Sequence, residues 1–517
     1  MTEHIDIVVV GGGTAGWLTA CLLAADHAQG QCPKVRVSLI ESANVPAIGV
    51  GEGTWPSMRS TLQRIGISER DFLLQCDASF KQGSCFKGWR TGAKQDTYYH
   101  PFTLPVGHHE IDIAQHWLPY QEQVAFADAV SAQGRICELG LAPKTSKTPD
   151  YGFALNYGYH LDAGKFAELL KRHGVEQLGI KHIVDDVVEV VGSINEPVAA
   201  LNTRTHGKLF ADLFVDCSGF TGLLLNQHYQ VTRKSLTHTL FNDSAIAIQV
   251  PYENEDSPIA SATIASAKEH GWIWDIGLPT RRGMGYVFAS DFVDSEQAEV
   301  DLRKHLAIEL TAQKAEQISV RHISLNPGYN ECVWQHNCVA VGLSSGFVEP
   351  LEASSLALVE VAAKYISDNL PTSASIMPIV AKRFNDLMQY HWRKITDFLK
   401  LHYVLSQRRD SEYWRAHQDQ STWSDWLVEC TQLWQARSPN VYDIPMAMEL
   451  FPAASFQYIL YGMQRMAPEV SSSSLMLSEK ANSAFQKVAQ QTRSLAQSLP
   501  TNRQLLKQIH HQGMGTL

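Results

Sequence analysis

An α/β fold with a mostly helical C-terminal region follows from three features of the sequence. A β-branched run, IDIVVV at 5–10, passes directly into the glycines GGGTAG and then into the helix-forming stretch WLTACLLAADHA. Two later segments, DLFVDCSGFTGLLL at 212–225 and CVAVGLSSGFVEPLE at 338–352, repeat the pattern of a buried strand entering a glycine turn. Beyond about residue 360, apolar residues recur at helical spacing: Phe384, Leu387, His391, Ile395, Phe398 and His402 define one face of a long helix.

The first strand, turn and helix form a Rossmann-like unit. Gly11, Gly13 and Gly16 complete GxGxxG: the first permits the tight turn, the second lets backbone approach a pyrophosphate, and the third lets helix pack on strand. Thr14 and Ala15 open the helix, whose N-terminus attracts the phosphates. A second strand, VRVSLIE, ends in Glu41, where a carboxylate can accept hydrogen bonds from a ribose. The nineteen uncharged residues IVVVGGGTAGWLTACLLAA have the length of a membrane span or a signal peptide. Acidic Glu3 and Asp6 in place of a basic flank, with three consecutive glycines, argue against both.

A chain of 517 residues exceeds what one core serves, so two or more modules are expected. Its 44% hydrophobic and 19% charged residues are those of a globular protein, and a net charge of −10 argues against a nucleic-acid binder and for small-molecule partners. Nine cysteines, scattered and without a CxxC pair, suit reduced thiols in a cytoplasmic setting; neither disulfide nor metal site is expected. No second GxGxxG unit follows the first, so a built-in NAD(P)H domain is not expected.

In GWIWDIGL at 271–278, Trp272 and Trp274 alternate on a strand, which points both indoles to one side of a sheet. Trp392, Trp414, Trp423, Trp426 and Trp434 crowd the later helical part and read as packing anchors, with one or two of them as alternative walls for an aromatic ligand. Serines 471–474 read as a linker before an amphipathic helix (Leu477, Ala481, Phe485, Val488) that Pro500 would end and that covers core.

Beyond these patterns, the chain resembles the flavin-dependent tryptophan halogenases. The motifs that carry the likeness are GGGTAGW at 11–17, PAIGVGEGTWPS at 46–57, FKQGSCFKGW at 80–89, GWIWDIGL, GFVEPLEASS at 346–355 and DFLKLHYVLSQRRDSEYW. The segments 212–225 and 338–352 likewise resemble FAD-contacting pieces of flavoprotein monooxygenase-type folds. The resemblance implies an FAD-binding module with an interleaved β-sheet substrate region over 1–360, and a helical region over 361–517 contributing to the substrate pocket. It implies reduced FAD delivered by a separate NAD(P)H-dependent flavin reductase, O2 as co-substrate, and chloride or bromide oxidised to hypohalous acid. Ile48, Val187, Leu343 and Leu356 match flavin contacts of the family, and each fits plain core equally well.

By the same resemblance, Trp272, Trp274 and Ile276 are the wall that keeps an organic substrate from the flavin, with Gly277 in place of the usual proline; glycine would loosen that edge. The amides of Ser354 and Ser355 would hold halide. Ala353 replaces a serine there, and Ser355 replaces a glycine able to adopt positive φ. Lys81 matches the essential lysine that aims hypohalous acid; an ammonium hydrogen-bonding its oxygen and an amine forming a haloamine both remain open. Glu352 matches the carboxylate that stabilises the ring cation and takes its proton, with Glu349 as rival; either also suits a helix cap. His100 and Phe102 match residues lining an indole pocket. Free tryptophan, indole, a substituted indole and a larger indole-bearing molecule all stay open as substrates, since the family's amino-acid recognition groups find no residue-by-residue match in 437–466. Two other functions stay open, an aromatic hydroxylase and a non-catalytic flavin-binding redox-responsive protein, as do monomer and homodimer.

Overall fold

The computed structural model describes residues 4–27, 34–45, 51–308, 310–463 and 475–512. The chain divides into two units, each assembled from three stretches of sequence: Met1–Ala78, Leu161–Leu236 and Asn326–Trp392 in the first, Ser79–His160, Thr237–Leu325 and Arg393–Leu517 in the second. The boundary expected at 360 instead falls inside the helix Ser354–Asp368, whose buried face is continuous across it.

In the first unit, the strand His4–Val10 pairs in parallel with Lys34–Glu41 on one side and Leu213–Asp216 on the other. Cys338–Ala340 and Lys181–Val184 extend the sheet outward in parallel, and Trp334–Gln335 adds an antiparallel edge. Residues 7–10 are buried, as a central parallel strand requires. The sheet order therefore switches direction at the strand His4–Val10, which runs into Gly11, and this is where open α/β sheets bind ligands. The uncharged segment splits into this strand and the helix Thr14–His27, and no helix among the described residues is long and apolar enough to cross a membrane. A separate three-stranded ladder carries Val187, which packs with Val190 against Val8, Val10, Ile40 and Phe214.

The second unit is built on a seven-stranded sheet, in the order Val320–Ser324, Ser244–Pro251, Arg281–Phe288, Gly271–Gly277, Thr263–Lys268, Gly83–Lys87, Thr97–Pro101. All neighbours are antiparallel except Thr263–Lys268 with Gly83–Lys87. Gly271–Gly277 is central. Ile273 faces a core of Ile246, Ile248, Met284, Ala298 and Leu302, so pleating directs Trp272, Trp274 and Ile276 to the opposite face.

Gly277 behaves differently from the expectation of a loosened edge. Its φ lies outside the left-handed region, its carbonyl accepts the Ser79 hydroxyl, and the next amide, Leu278, donates to Arg281 O at 2.9 Å. A Cβ at 277 would lie 2.9 Å from Ile259 Cγ2 and 3.0 Å from the Tyr252 hydroxyl. Space, and not backbone freedom, selects glycine there.

The long helix runs Met377–Val404, with Phe384, His391, Ile395, Phe398 and His402 buried and Leu387 partly so. Trp392, Trp414 and Trp434 are buried anchors, whereas Trp423 and Trp426 are half-exposed. Serines 471–474 lie outside the described residues. The helix Leu475–Ser498 ends before Pro500 and covers core through Ala481 and Val488. A further helix, Asn502–Gln512, follows it unforeseen. Its start is a reciprocal cap: Gln504 N donates to Thr501 Oγ1 at 3.1 Å, and Thr501 N donates to Gln504 Oε1 at 2.9 Å, the T-x-x-Q box that TNRQ spells. For Gly277→Ala we expect a loss of about 1–2 kcal/mol from overpacking, measured by urea unfolding.

Candidate active site

In the first unit the glycine turn is shaped by close backbone approach. Gly11 has φ +117°, donates its N–H to Ile40 O at 2.8 Å, and leaves no room for a Cβ beside Cys217 O. A Cβ on Gly16 would collide with Gly11 O, so strand and helix meet at glycine width. At Gly13 the corresponding position is open, with nothing within 4 Å. The helix Thr14–His27 carries no acidic residue in its first turn, which leaves its positive end unopposed. This arrangement fits the pyrophosphate of a dinucleotide on the turn. Gly342, at φ +77°, would place a Cβ 2.8 Å from Ala15, so the Leu343 turn is drawn against the start of that helix. Glu41 is less free than its position in the sequence suggested. One carboxylate oxygen lies 2.6 Å from His182 Nε2 and 3.1 Å from Lys171 Nζ, and the other fills the space beside Gly12. Ile48 lies outside the described residues. Leu356 is buried in the helix Ser354–Asp368, and Val187 is half-buried on its ladder.

The turn before that helix holds two consecutive left-handed residues, Glu352 (φ 64°, ψ 3°) and Ala353 (φ 54°, ψ 48°). The strain expected at Ser355 is therefore located earlier: Ser355 is already in the first helical turn, and Ala353 takes the positive φ. Ala353 is also the N-cap and offers no side-chain oxygen, so the amides of Ser354 and Ser355 begin a helix that lacks the usual cap. Glu349 and Glu352 are both buried, at 1% and 7% exposure. The Glu352 carbonyl accepts the indole N–H of Trp55 at 2.8 Å. Trp55 stands inside the motif PAIGVGEGTWPS, and no local pattern there signals this contact, 297 residues away in sequence.

Two turns into the same helix, Glu360 accepts the Ser57 hydroxyl at 2.7 Å and the Thr61 hydroxyl. Burial outweighs these hydrogen bonds and lifts its carboxyl from 4.5 to about 7.

In the second unit, Lys81 ends the strand Ser79–Lys81, which pairs antiparallel with Gly158–Asp162, and it has no solvent exposure. Its Nζ lies 5.4 Å from the centroid of the Phe102 ring. The backbone around it is tied at each step. Phe80 O accepts from Asn502 Nδ2 at 3.0 Å, Gln82 N donates to Ser261 O at 2.7 Å, and Phe102 N donates to Gln82 O at 3.1 Å. His160, one residue beyond Tyr159 on the paired strand, is held well below the usual imidazole range by burial and then by the charge of Lys81. Phe86, a neighbour in sequence, instead stacks on Tyr98 at 4.8 Å.

His100 is buried, with Nε2 3.0 Å from Ser455 Oγ and its ring 5.7 Å from Phe398 and 5.8 Å from Tyr458. Phe451 stacks on Phe398 at 3.8 Å, and the Tyr458 hydroxyl donates to Thr103 O. Phe451, Ser455 and Tyr458 thus join His100 from FPAASFQYILYG, whose aromatic density was the available signal. Trp272 is buried with its ring 6.3 Å from Trp89, and Trp274 lies across Gly285, where its indole occupies the space of a side chain.

The tryptophan halogenase family matches residues 6–479. The chain is 31% identical to the 7-chloro-L-tryptophan 6-halogenase KtzR of Kutzneria sp. (strain 744), over 97% of this chain and 99% of that one. It is similar to the crystal structure of a tryptophan halogenase from Shewanella frigidimarina, with a TM-score of 0.96, 46% identity and 99% of each chain covered. BrvH, a flavin-dependent halogenase from Brevundimonas sp. BAL3, has a TM-score of 0.84 at 28% identity, covering 98% of this chain and 99% of its own.

Glu360 also sets a pH dependence. The folded chain keeps the Glu360 proton between pH 4.5 and about 7, where the unfolded chain has released it, so this contribution to stability is lost as pH rises through that window. Relative to Glu360→Gln, the wild type is expected to lose roughly 3 kcal/mol across it, read from urea midpoints at each pH.

Proposed function

We propose, from the premise that this chain belongs to the tryptophan halogenase family, that it halogenates an indole-type ring with chloride or bromide through hypohalous acid guided by Lys81. The observation that carries the reading is a lysine amine with no solvent exposure, held over an aromatic ring on a strand tied down on both sides. FAD, supplied reduced by a separate flavin reductase, would with O2 oxidise the halide to hypohalous acid. Gly11, Gly13, Thr14, Ala15 and Gly16 would hold its pyrophosphate, with Glu41, Ile48, Val187, Leu343 and Leu356 as further contacts.

The amides of Ser354 and Ser355 hold the halide through partial positive charge that needs no reorganisation. Lys81 donates an N–H to the oxygen of hypohalous acid, which draws electrons from the halogen. As the ring attacks, the carbon–halogen bond forms and the oxygen–halogen bond breaks. The departing hydroxide takes a proton from Lys81 to become water, and Glu352 accepts the proton that the ring carbon releases. The reaction needs the organic ring kept off the flavin, and the indole pair Trp272 and Trp274, followed by Ile276, is the candidate screen. His100 and Phe102 flank the ring. KtzR is named for a chlorotryptophan and the Shewanella frigidimarina protein for tryptophan; the indole they share is the substrate feature proposed here.

Incubation with a flavin reductase, bromide and a panel of indoles should give product with the paired bromine isotope pattern by mass spectrometry. Lys81→Ala is expected to abolish that product while FAD still binds, and halogenation retained by this variant would remove Lys81 from the mechanism. Glu352→Gln should lower kcat by about 10²–10⁴ without loss of fold.

A further inference from the structure

The peptide between Glu352 and Ala353 is gripped at both ends. Its carbonyl accepts the Trp55 indole N–H at 2.8 Å, and its N–H, on Ala353, donates to Pro350 O at 3.0 Å. Both flanking residues are left-handed and neither is glycine, so this peptide occupies a conformation that the chain does not favour by itself. Relaxation of either residue would rotate the plane and re-aim the amides that follow, those of Ser354 and Ser355. Pro350 belongs to the same turn and moves with it. Trp55 does not.

Trp55 sits just ahead of the helix Ser57–Ile65, and its own carbonyl accepts Met58 N at 3.1 Å. That helix is fastened to Ser354–Asp368 by the Ser57 and Thr61 hydroxyls on Glu360. The indole is therefore presented from a frame anchored to the body of the helix whose first turn it steadies.

We infer that Trp55 is a positioning residue for halide: by fixing the carbonyl of a left-handed Glu352 it aims the Ser354 and Ser355 amides and so sets halide affinity. The inference rests on the proposed role of those two amides. A general packing role would predict a common loss of stability and FAD retention. A positioning role predicts a change confined to halide.

The test compares wild type, Trp55→Phe and Ser355→Pro for bromide KM, kcat at saturating bromide, FAD dissociation constant and melting temperature. Phenylalanine keeps an aromatic ring and removes the N–H; proline removes one amide N–H in the first helical turn, where no intrahelical hydrogen bond depends on it. We expect Trp55→Phe to raise bromide KM about ten-fold, the equivalent of one hydrogen bond, with kcat and FAD affinity within about two-fold. A raised KM in Ser355→Pro with an unchanged KM in Trp55→Phe would overturn the inference and leave the amide site standing. An unchanged KM in Ser355→Pro would overturn the amide site, and the inference with it. If Trp55→Phe does not fold, benzothienylalanine at 55, which replaces N–H by sulfur in the same ring shape, carries the comparison under the same criteria.

Discussion

A lysine amine without solvent contact has given up its hydration, and its surroundings must offset that loss and keep the group in one place. Around Lys81 this constraint accounts for the way the second unit is assembled. Each of its three stretches of sequence supplies one tie to the lysine strand or its neighbour. Phe102, from the first, donates to Gln82 O and presents its ring to the amine; Ser261, from the second, accepts Gln82 N; Asn502, from the last helix, donates to Phe80 O. Asn502 also donates to Ala260 O at 3.3 Å, so the second and third ties are themselves connected. An amine on a flexible stem becomes a positioned donor only when the backbone on both sides of it cannot shift.

The first unit follows the same logic with backbone instead of a side chain at the centre. Gly11, from its first stretch, touches Cys217 from its second, and Gly342, from its third, touches Ala15 from its first. Asp216, fully buried, receives the amides of Ser218, Leu224 and Leu225, while its own carbonyl accepts Val341 N at 2.9 Å. Three glycine turns are thereby brought to the ends of adjacent parallel strands. The strained pair Glu352 and Ala353 is tolerated because the helix behind it is locked through Glu360, a carboxyl that burial keeps protonated up to about pH 7.

Much of this is legible in the sequence alone. The glycine spacing at 11–16, the β-branched strand before it and the acid at 41 follow local rules, and the structure has a strand, a turn and a helix in those places. The alternation that puts Trp272 and Trp274 on one face is a property of any strand. Gly277 stands where the family has proline, and crowding by Ile259 and Tyr252, which lie upstream in the chain, is what selects glycine there. The strain assigned to Ser355 sits on Glu352 and Ala353, because where a helix begins depends on what covers its first turn. The helix after Pro500 is spelled locally by its TNRQ cap, so Pro500 separates two helices and does not end the helical region.

What the sequence determined by itself is therefore the set of local geometries: a phosphate-sized glycine turn, a strand carrying two indoles, a long amphipathic helix, and the motifs by which the family is known. Tertiary structure alone decided which groups act together. Glu41 is shared with His182 and Lys171, His100 finds Ser455, Trp55 finds the Glu352 carbonyl, and Asn502 reaches back to Phe80. These partners are separated by up to 422 residues. No periodicity or spacing rule extends that far, because local sequence sets dihedral angles and exposed faces, whereas the choice of partner across such distances is made only when those faces are buried against one another.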